Sequence, residues 1–273
     1  MRVPTALADV VAAVEGLWPR AGAEGWDAPG LIAGRPNDPV DRILLAVDAV
    51  QLTTREAVEV SAQLLLVHHP LFLRGVTSVA EDHPKGAIIG ELIRSRCALL
   101  AAHTNADVVA RGTSAILADR LGLLEAVPIV PGDDPSTGLG RIGRLPEPLN
   151  LGQFAKLVSE TIPATAQGVR VAGDARELIE TVALCAGAGD SLLAHPAVTS
   201  ADVYLTSDLR HHPASEAREA ALLSTGPALV DISHWAAEWM WLHVAAEQLR
   251  AELPGVQIMV SDLRTDPWDF AII

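Results

Sequence analysis

Three apolar stretches of this chain end in side chains that bind metals or carry protons. In "LLLVHHPLF" two adjacent histidines, His68 and His69, precede Pro70, a residue that stops regular strand pairing. Successive strand side chains point to opposite faces, so both imidazoles cannot meet one small ion while the strand stays regular. At a strand end that constraint relaxes, and each histidine can serve a different ion of a close pair. The competing reading puts one histidine in the core and the other on a loop. In "AAHTNADVV", His103 and Asp107 stand four apart, on one face of a helical turn. That spacing suits two ligands, or a ligand and its orienting neighbour, while Asp107 fits equally well as an N-cap for the segment that follows. In "LVDISHWAAEWMW", a strand ending at Asp231 leads into a helix that carries His234 and Glu238 four apart. One rigid element then offers an imidazole and a carboxylate together. The alternative is an amphipathic helix packed through Trp235, Trp239 and Trp241.

Imidazole and carboxylate without thiolate suit Zn, Mn, Fe, Co or Ni and do not suit an iron–sulfur cluster. Two ions about 3.5–4 Å apart need a bridging group, and a carboxylate with two oxygens can span them. Glu238 is the candidate bridge. The expectation is a cage for two divalent ions built from His68, His69, Asp107, His234 and Glu238. A second histidine pair in "LTSDLRHHP", His211 and His212 with Asp208 and Arg210, fits a metal role or a place lining a substrate pocket. His83, His195 and His243 lie in loop or helix contexts where surface or structural roles are the default.

The elements that must position these side chains follow from the apolar pattern. "RILLAVDAV", "AQLLLVHH" and "CALLAAH" read as buried strands, separated by the helix-like "TTREAVEVSA" and "GAIIGELIRSR". Strand and helix in alternation predict a mostly parallel sheet, whose ligands gather at the carboxyl ends of the strands, where Asp48, His68, His69 and His103 fall. Residues 126–145 are rich in Pro and Gly and mark a boundary or a hairpin-rich connection. Beyond them come a helical stretch, a short strand in "GVRVAG", and further apolar runs in "ETVALCAGAG", "ADVYLTSDL" and "PALVDISH". The predicted fold is α/β: two similar lobes with mainly parallel sheets and a metal site between them at strand C-terminal ends. The expected boundaries are an N-terminal lobe over 1–125, a connecting segment over 126–180 and a C-terminal lobe over 181–273.

The chain has 273 residues, 49% of them hydrophobic, enough to bury a large core. Acidic residues outnumber basic ones by 34 to 20, and the net charge of −14 opposes binding to nucleic acid and to anionic membranes. A local basic patch can still accept an anion. Cys97 and Cys185 sit beside apolar strands and read as reduced core residues. The first helical stretch carries Asp9 and Glu15 within its apolar spacing, unlike a signal peptide, and no apolar run reaches the roughly 18 residues that span a bilayer. A cytoplasmic location is expected.

With those motifs in hand, the chain resembles the NIF-three-like dinuclear metal-centre proteins, the YbgI-type family whose members often carry the name GTP cyclohydrolase type 2 homolog. "LLLVHHPLFLRGVTSV", "AAHTNAD", "ADVYLTSDLRHH", "LVDISHWAAEW" and "VSDLRTDPW" carry the likeness, in order, over almost the whole chain. The resemblance implies that His68, His69, Asp107, His234 and Glu238 bind two metal ions per subunit. It makes His103 a catalytic proton carrier or a neighbour that orients a ligand. It also implies a homohexameric ring with sites facing an inner cavity, a small-molecule substrate of the nucleotide kind, and a metal-dependent hydrolase, by name a GTP ring-opening one. Longer members carry an inserted middle domain, for which the stretch between the halves here is too short. Trp235 and Trp239 depart from the family pattern and would narrow the pocket. No GxxxxGK[ST] loop is present, and only scattered arginines such as Arg74, Arg141, Arg144 and Arg210 are on offer to phosphates. The alternatives are a metal-storing or regulatory scaffold without turnover, and a purely structural metal site.

Overall fold

A computed structural model describes residues 4–272. The chain forms two compact units that interleave along the sequence: the first runs up to Ala106 and takes in Leu242–Thr265, the second is Asp107–Trp241 and the segment from Asp266 onward.

The first unit is built on a five-stranded sheet in the order Gln257–Val260, Arg42–Asp48, Leu64–His69, Ala98–Ala101, Gly30–Ala33. The first four run parallel and the edge strand Gly30–Ala33 runs antiparallel. Leu64, Leu65, Leu66 and Val67 are all fully buried, as a strand covered on both faces requires. Each such side chain contributes about 1.5–3 kcal/mol relative to exposure. Helices Gln51–Glu59 and Pro84–Arg94 pack Ala57, Ile88, Ile89 and Leu92 against this sheet. Register then decides where the polar ends fall: Val67 lies opposite Ala46 and Ala101, and Asp48 lies opposite His69. The carboxyl ends of three parallel strands therefore bring Asp48, the His68–His69 pair and the Ala102–His103 turn to one edge.

The second unit holds a six-stranded sheet in the order Arg170–Ala172, Ala228–Ile232, Val203–Ser207, Leu178–Ala188, Arg141–Asn150, Leu124–Val127. Its middle strands Leu178–Ala188, Val203–Ser207 and Ala228–Ile232 are parallel and the flanking ones antiparallel. The helix Leu151–Thr161 starts at a reciprocal cap, in which the Asn150 side chain accepts from Gln153 N at 2.8 Å and Gln153 accepts from Asn150 N at 3.0 Å. The helices Thr113–Arg120 and His234–Trp239 pack on Leu178–Ala188.

The Pro- and Gly-rich stretch folds as a hairpin, Val130–Pro131 against Gly138–Leu139, that feeds Arg141–Asn150. Arg141 is buried and donates to the carbonyls of Gly138 and Gly140, both at 2.7 Å. It ties the hairpin together and is not on offer to a phosphate. Arg144 and Arg210 are likewise engaged, with Glu180 and Asp190. Both cysteines are free and buried, as their apolar settings predict. Among the described residues no helix is long and apolar enough to cross a membrane.

Candidate metal centre

Each unit carries its own set of donor side chains. In the first, His68, His69 and His103 each offer a ring nitrogen within 4.8 Å of the others. His68 is fully buried and its Nδ1 donates to the Ala102 carbonyl at 2.8 Å. The Nδ1 of His69 meets Asp48 Oδ1 at 2.7 Å, and Thr265 donates its hydroxyl to the other oxygen of that carboxylate. His103 Nδ1 meets Asp27 Oδ1 at 2.8 Å, and the Asp27 Oδ2 accepts from the Thr104 backbone N–H at 3.0 Å. Burial would push the Asp27 carboxyl up, but hydrogen bonds from His103 and Thr104 outweigh it and hold the group below its usual range. In all three rings Nδ1 faces an acceptor, so Nδ1 is a protonated nitrogen and Nε2 is the one a cation would meet. That is the orientation a metal-ligating histidine needs, fixed by the partner that holds it.

The second unit repeats the device. His234 opens the helix His234–Trp239, capped by Ser233, whose hydroxyl accepts from Ala236 N at 3.2 Å and donates to Asp266. Its Nδ1 meets Asp208 Oδ2 at 2.7 Å, and its Nε2 lies 2.9 Å from Glu238 Oε1 one helical turn on. Asp208 reaches it from a left-handed backbone conformation, φ 58°, at the end of the strand Val203–Ser207. Burial lowers the His234 proton affinity, yet the Glu238 and Asp208 carboxylates more than offset it and raise the imidazole to about 11. Glu238 itself is only 3% exposed.

Asp107 ends the short helix Thr104–Asp107 and accepts from the Thr113 hydroxyl at 2.6 Å. The N-cap of Thr113–Arg120 is Gly112, so the capping role open to Asp107 on spacing alone is filled by another residue. Asp107 and Glu238 share the Cys185 thiol as a neighbour: burial, then these two carboxylates, pushes it up to about 12. A thiol so disfavoured as thiolate leaves the donor set purely nitrogen and oxygen, the set that suits a borderline or hard divalent ion.

Gly187 completes the local geometry. It lies where the pairing of Leu178–Ala188 with Val203–Ser207 shifts register, with φ 80°. A Cβ there would stand 2.6 Å from Glu238 Oε1 and 3.3 Å from His234 Nε2, so only glycine lets the carboxylate lie against this backbone.

Asp27, Asp48 and Asp208 are the carboxylates that hold these histidines, and motif reading does not resolve them as partners. Asp48 and Asp208 stand at the ends of apolar strands, a visible signal for position though not for partner. Asp27, in the loop "EGWDAPG", carries no such signal. His211 and His212 are exposed, and so are His83 and His243, while His195 is half-buried. His195 caps the helix Pro196–Thr199 through its Nδ1. Trp235 and Trp239 lie ring to ring, with centroids 5.9 Å apart, on the helix that carries His234 and Glu238, and Trp235 is buried, so this helix also packs through its tryptophans.

The orienting carboxylates can be tested directly. Asp208→Asn keeps the shape of the side chain and removes its charge; we expect metal affinity to fall about 10–100-fold, read by competition with a chromogenic chelator, with little change in the melting temperature.

Comparison with known proteins places the chain in a family and agrees with its fold. The family described as Duf34/NIF3 (NGG1p interacting factor 3) matches residues 5–267. A Streptomyces coelicolor protein named GTP cyclohydrolase 1 type 2 homolog is 46% identical over 271 residues, covering 96% of this chain and 93% of its own. A Mycobacterium tuberculosis protein of the same name is 33% identical over an alignment of 371 positions, covering 96% of each chain, so it carries residues that this chain lacks. Among solved structures, a Staphylococcus aureus hypothetical protein superposes with a TM-score of 0.89 at 25% identity, covering 98% of this chain and 100% of that one. A Bacillus cereus protein related to NIF3 gives 0.88 at 24% identity, covering 99% and 100%.

Proposed function

The chain belongs to the Duf34/NIF3 family, and from that premise we propose that it is a metal-dependent hydrolase that holds two divalent ions per subunit. His68 and His69 would be ligands from the first unit, and Asp107, His234 and Glu238 from the second. The observation that carries this reading is the threefold repetition of one device. His68, His69 and His234 each present Nδ1 to a fixed carbonyl or carboxylate, which is an arrangement for displaying Nε2 to a cation.

Two divalent ions would supply Lewis acidity, acidifying a water and polarising an oxygen or ring nitrogen of the substrate. The chain's own part is to fix ligand tautomers through Asp48, Asp208 and the Ala102 carbonyl, and to move a proton at His103. With Nδ1 held by Asp27, the His103 Nε2 is positioned to accept a proton and the carboxylate to stabilise the imidazolium that results. The name of the relatives points to a purine nucleotide ring as the substrate, and five protein ligands shared by two ions would leave positions open for it.

The pH dependence of loading follows from His234. In the metal-free protein that imidazole is charged up to about pH 11, so at neutral pH an incoming ion must expel its proton. Its folded value lies above the ordinary 6.5. The stabilisation it gives the metal-free fold is therefore fully present below pH 6.5 and is lost as pH rises towards 11. Metal affinity should run the opposite way, strengthening as pH rises from 6 to 9, with about one proton released per ion taken up at this ligand. Calorimetric titrations in two buffers of different ionisation enthalpy measure that release.

The decisive experiment is elemental analysis of the reconstituted protein, followed by turnover of nucleotides and phosphoesters with each ion restored. About two ions per chain with metal-dependent turnover supports the hydrolase. Metal at that level without turnover of any substrate favours storage or scaffolding, and failure to bind metal after reconstitution overturns the reading.

A further inference from the structure

Two of the most exposed aromatic side chains of the chain, Trp268 and Phe270, are 62% and 77% accessible, and they line the same cavity. Single exposed apolar side chains are ordinary, but two aromatic ones gathered round one cavity mark a binding groove. The cavity lies in the second unit, has a volume of about 610 Å³ and is completed by Gln167, Arg170, Asp208 and Leu209. Its size falls in the range of small-molecule sites, which are apolar walls with a few placed polar groups. Here the walls are indole and phenyl, and the polar groups are an amide, a guanidinium and a carboxylate. Asp208 is the side chain that holds His234 Nδ1 at 2.7 Å, so this cavity opens beside a proposed metal ligand.

A second cavity, of about 410 Å³, shares Arg170 and Leu209 with the first and adds His211, Ser215 and Arg218. Asp231 also lines it, but its carboxylate is already saturated: it accepts from Leu209 N at 2.8 Å, from Gln167 at 2.7 Å and from Arg170 Nε at 2.9 Å. Arg218, whose guanidinium reaches the Pro227 carbonyl at a long 3.4 Å, then sets the sign of this second cavity. The paired cavities thus offer aromatic faces with hydrogen-bonding edges on one side of Arg170 and cationic and hydroxyl donors on the other.

We propose that these adjoining cavities bind the substrate, a planar heteroaromatic ring carrying an anionic group of the nucleoside monophosphate kind. The ring stacks on Trp268 and Phe270, and the anion lies against Arg218, His211 and Ser215. The proposal rests on the hydrolase reading for the direction in which the ring is presented, towards the Asp208–His234 pair. Stacking on aromatic side chains is sequence-tolerant and strong enough to hold a single base. An arginine beside it provides the charge that a net acidic protein otherwise lacks. The exposed second histidine pair thereby gains a role through His211 alone.

The test uses the metal-loaded full chain and three probes: guanosine 5′-monophosphate, guanosine and inorganic phosphate. The monophosphate is expected to bind and to quench tryptophan fluorescence. Trp268→Ala should weaken it and guanosine alike by about tenfold or more. Arg218→Ala should weaken the monophosphate but leave guanosine unchanged, and phosphate alone should bind far more weakly than the monophosphate. Metal content should be the same in both variants. Unchanged monophosphate affinity in Trp268→Ala overturns the proposal. So does a Trp268→Ala protein whose only change is its mass in solution, which would make the aromatic face a contact between copies. If the parent takes up no metal, the hydrolase reading fails, while the quench of metal-free protein by the monophosphate still reads the cavities.

Discussion

A Glu238→Ala protein is expected to emerge from reconstitution with its metal content reduced to about half or less of the parent's, and with affinity lowered by more than the 10–100-fold typical of an outer partner. Glu238 is buried on the helix His234–Trp239 and faces His234 Nε2 at 2.9 Å, so its removal takes away both a proposed ligand and the counter-charge of its neighbour. The metal-free fold should suffer as well. Stranding one member of a buried charge pair costs about 3–5 kcal/mol, discounted here because His234 retains Asp208 and can shed its proton. A drop in melting temperature that is largest near pH 6 and shrinks at high pH is the expected signature. Glu238→Gln keeps the volume and separates packing from charge. His69→Ala is the counterpart in the first unit, with metal loss and a smaller effect on melting, since His69 is only partly buried. Full metal content in both alanine variants, measured by elemental analysis, would remove these residues from the ligand set.

The α/β fold was legible because its strands are apolar enough to admit one solution. The runs ending at Asp48, His69 and Ala101 are buried on both faces, and such runs separated by helical spacing specify parallel pairing. The second unit's middle strands follow the same logic. What local pattern does not carry is long-range pairing. Gln257–Val260 is a short strand with no mark of its partner, yet it joins the sheet edge at Arg42–Asp48 and makes the first unit discontinuous in sequence. The Pro- and Gly-rich stretch announced turns but not their purpose, which is to deliver the ten-residue strand Arg141–Asn150 with Arg141 locked beneath its hairpin.

The candidate donor side chains were visible for a different reason: histidine and carboxylate at the ends of apolar runs are expensive to place without a task. Their orienting partners were not, because Asp27 and His103 are separated by most of the first unit's chain and meet only after folding. Trp268 and Phe270 are a third case. Their burial state decides their meaning, and a tryptophan after a proline reads the same in sequence whether it packs inward or stays in solvent.

Gly187 provides the sharpest separation of geometry from ligand chemistry, because it contributes no donor atom. Gly187→Ala imposes two penalties. The φ of 80° is one an L side chain adopts at a cost of about 1–2 kcal/mol. The new Cβ would also overlap Glu238 Oε1 at 2.6 Å, and neither partner yields easily. The Gly187 carbonyl accepts from Thr206 at 3.0 Å and the adjacent Ala186 N–H donates to Ser114 at 3.1 Å, which pins the backbone. The carboxylate must therefore move, at a cost of about 1–3 kcal/mol more. Gly168→Ala is the control: its φ is 63°, yet a Cβ there meets nothing within 4 Å. Chemical denaturation should show a loss of about 1–2 kcal/mol for Gly168→Ala, with metal binding intact, and a larger loss for Gly187→Ala. Elemental analysis should then find the Gly187 variant depleted of metal although every proposed ligand is present. Equal metal content in the two glycine variants would mean that the position of the Glu238 carboxylate against this strand does not govern binding, and the assignment of Glu238 as a ligand would fall with it.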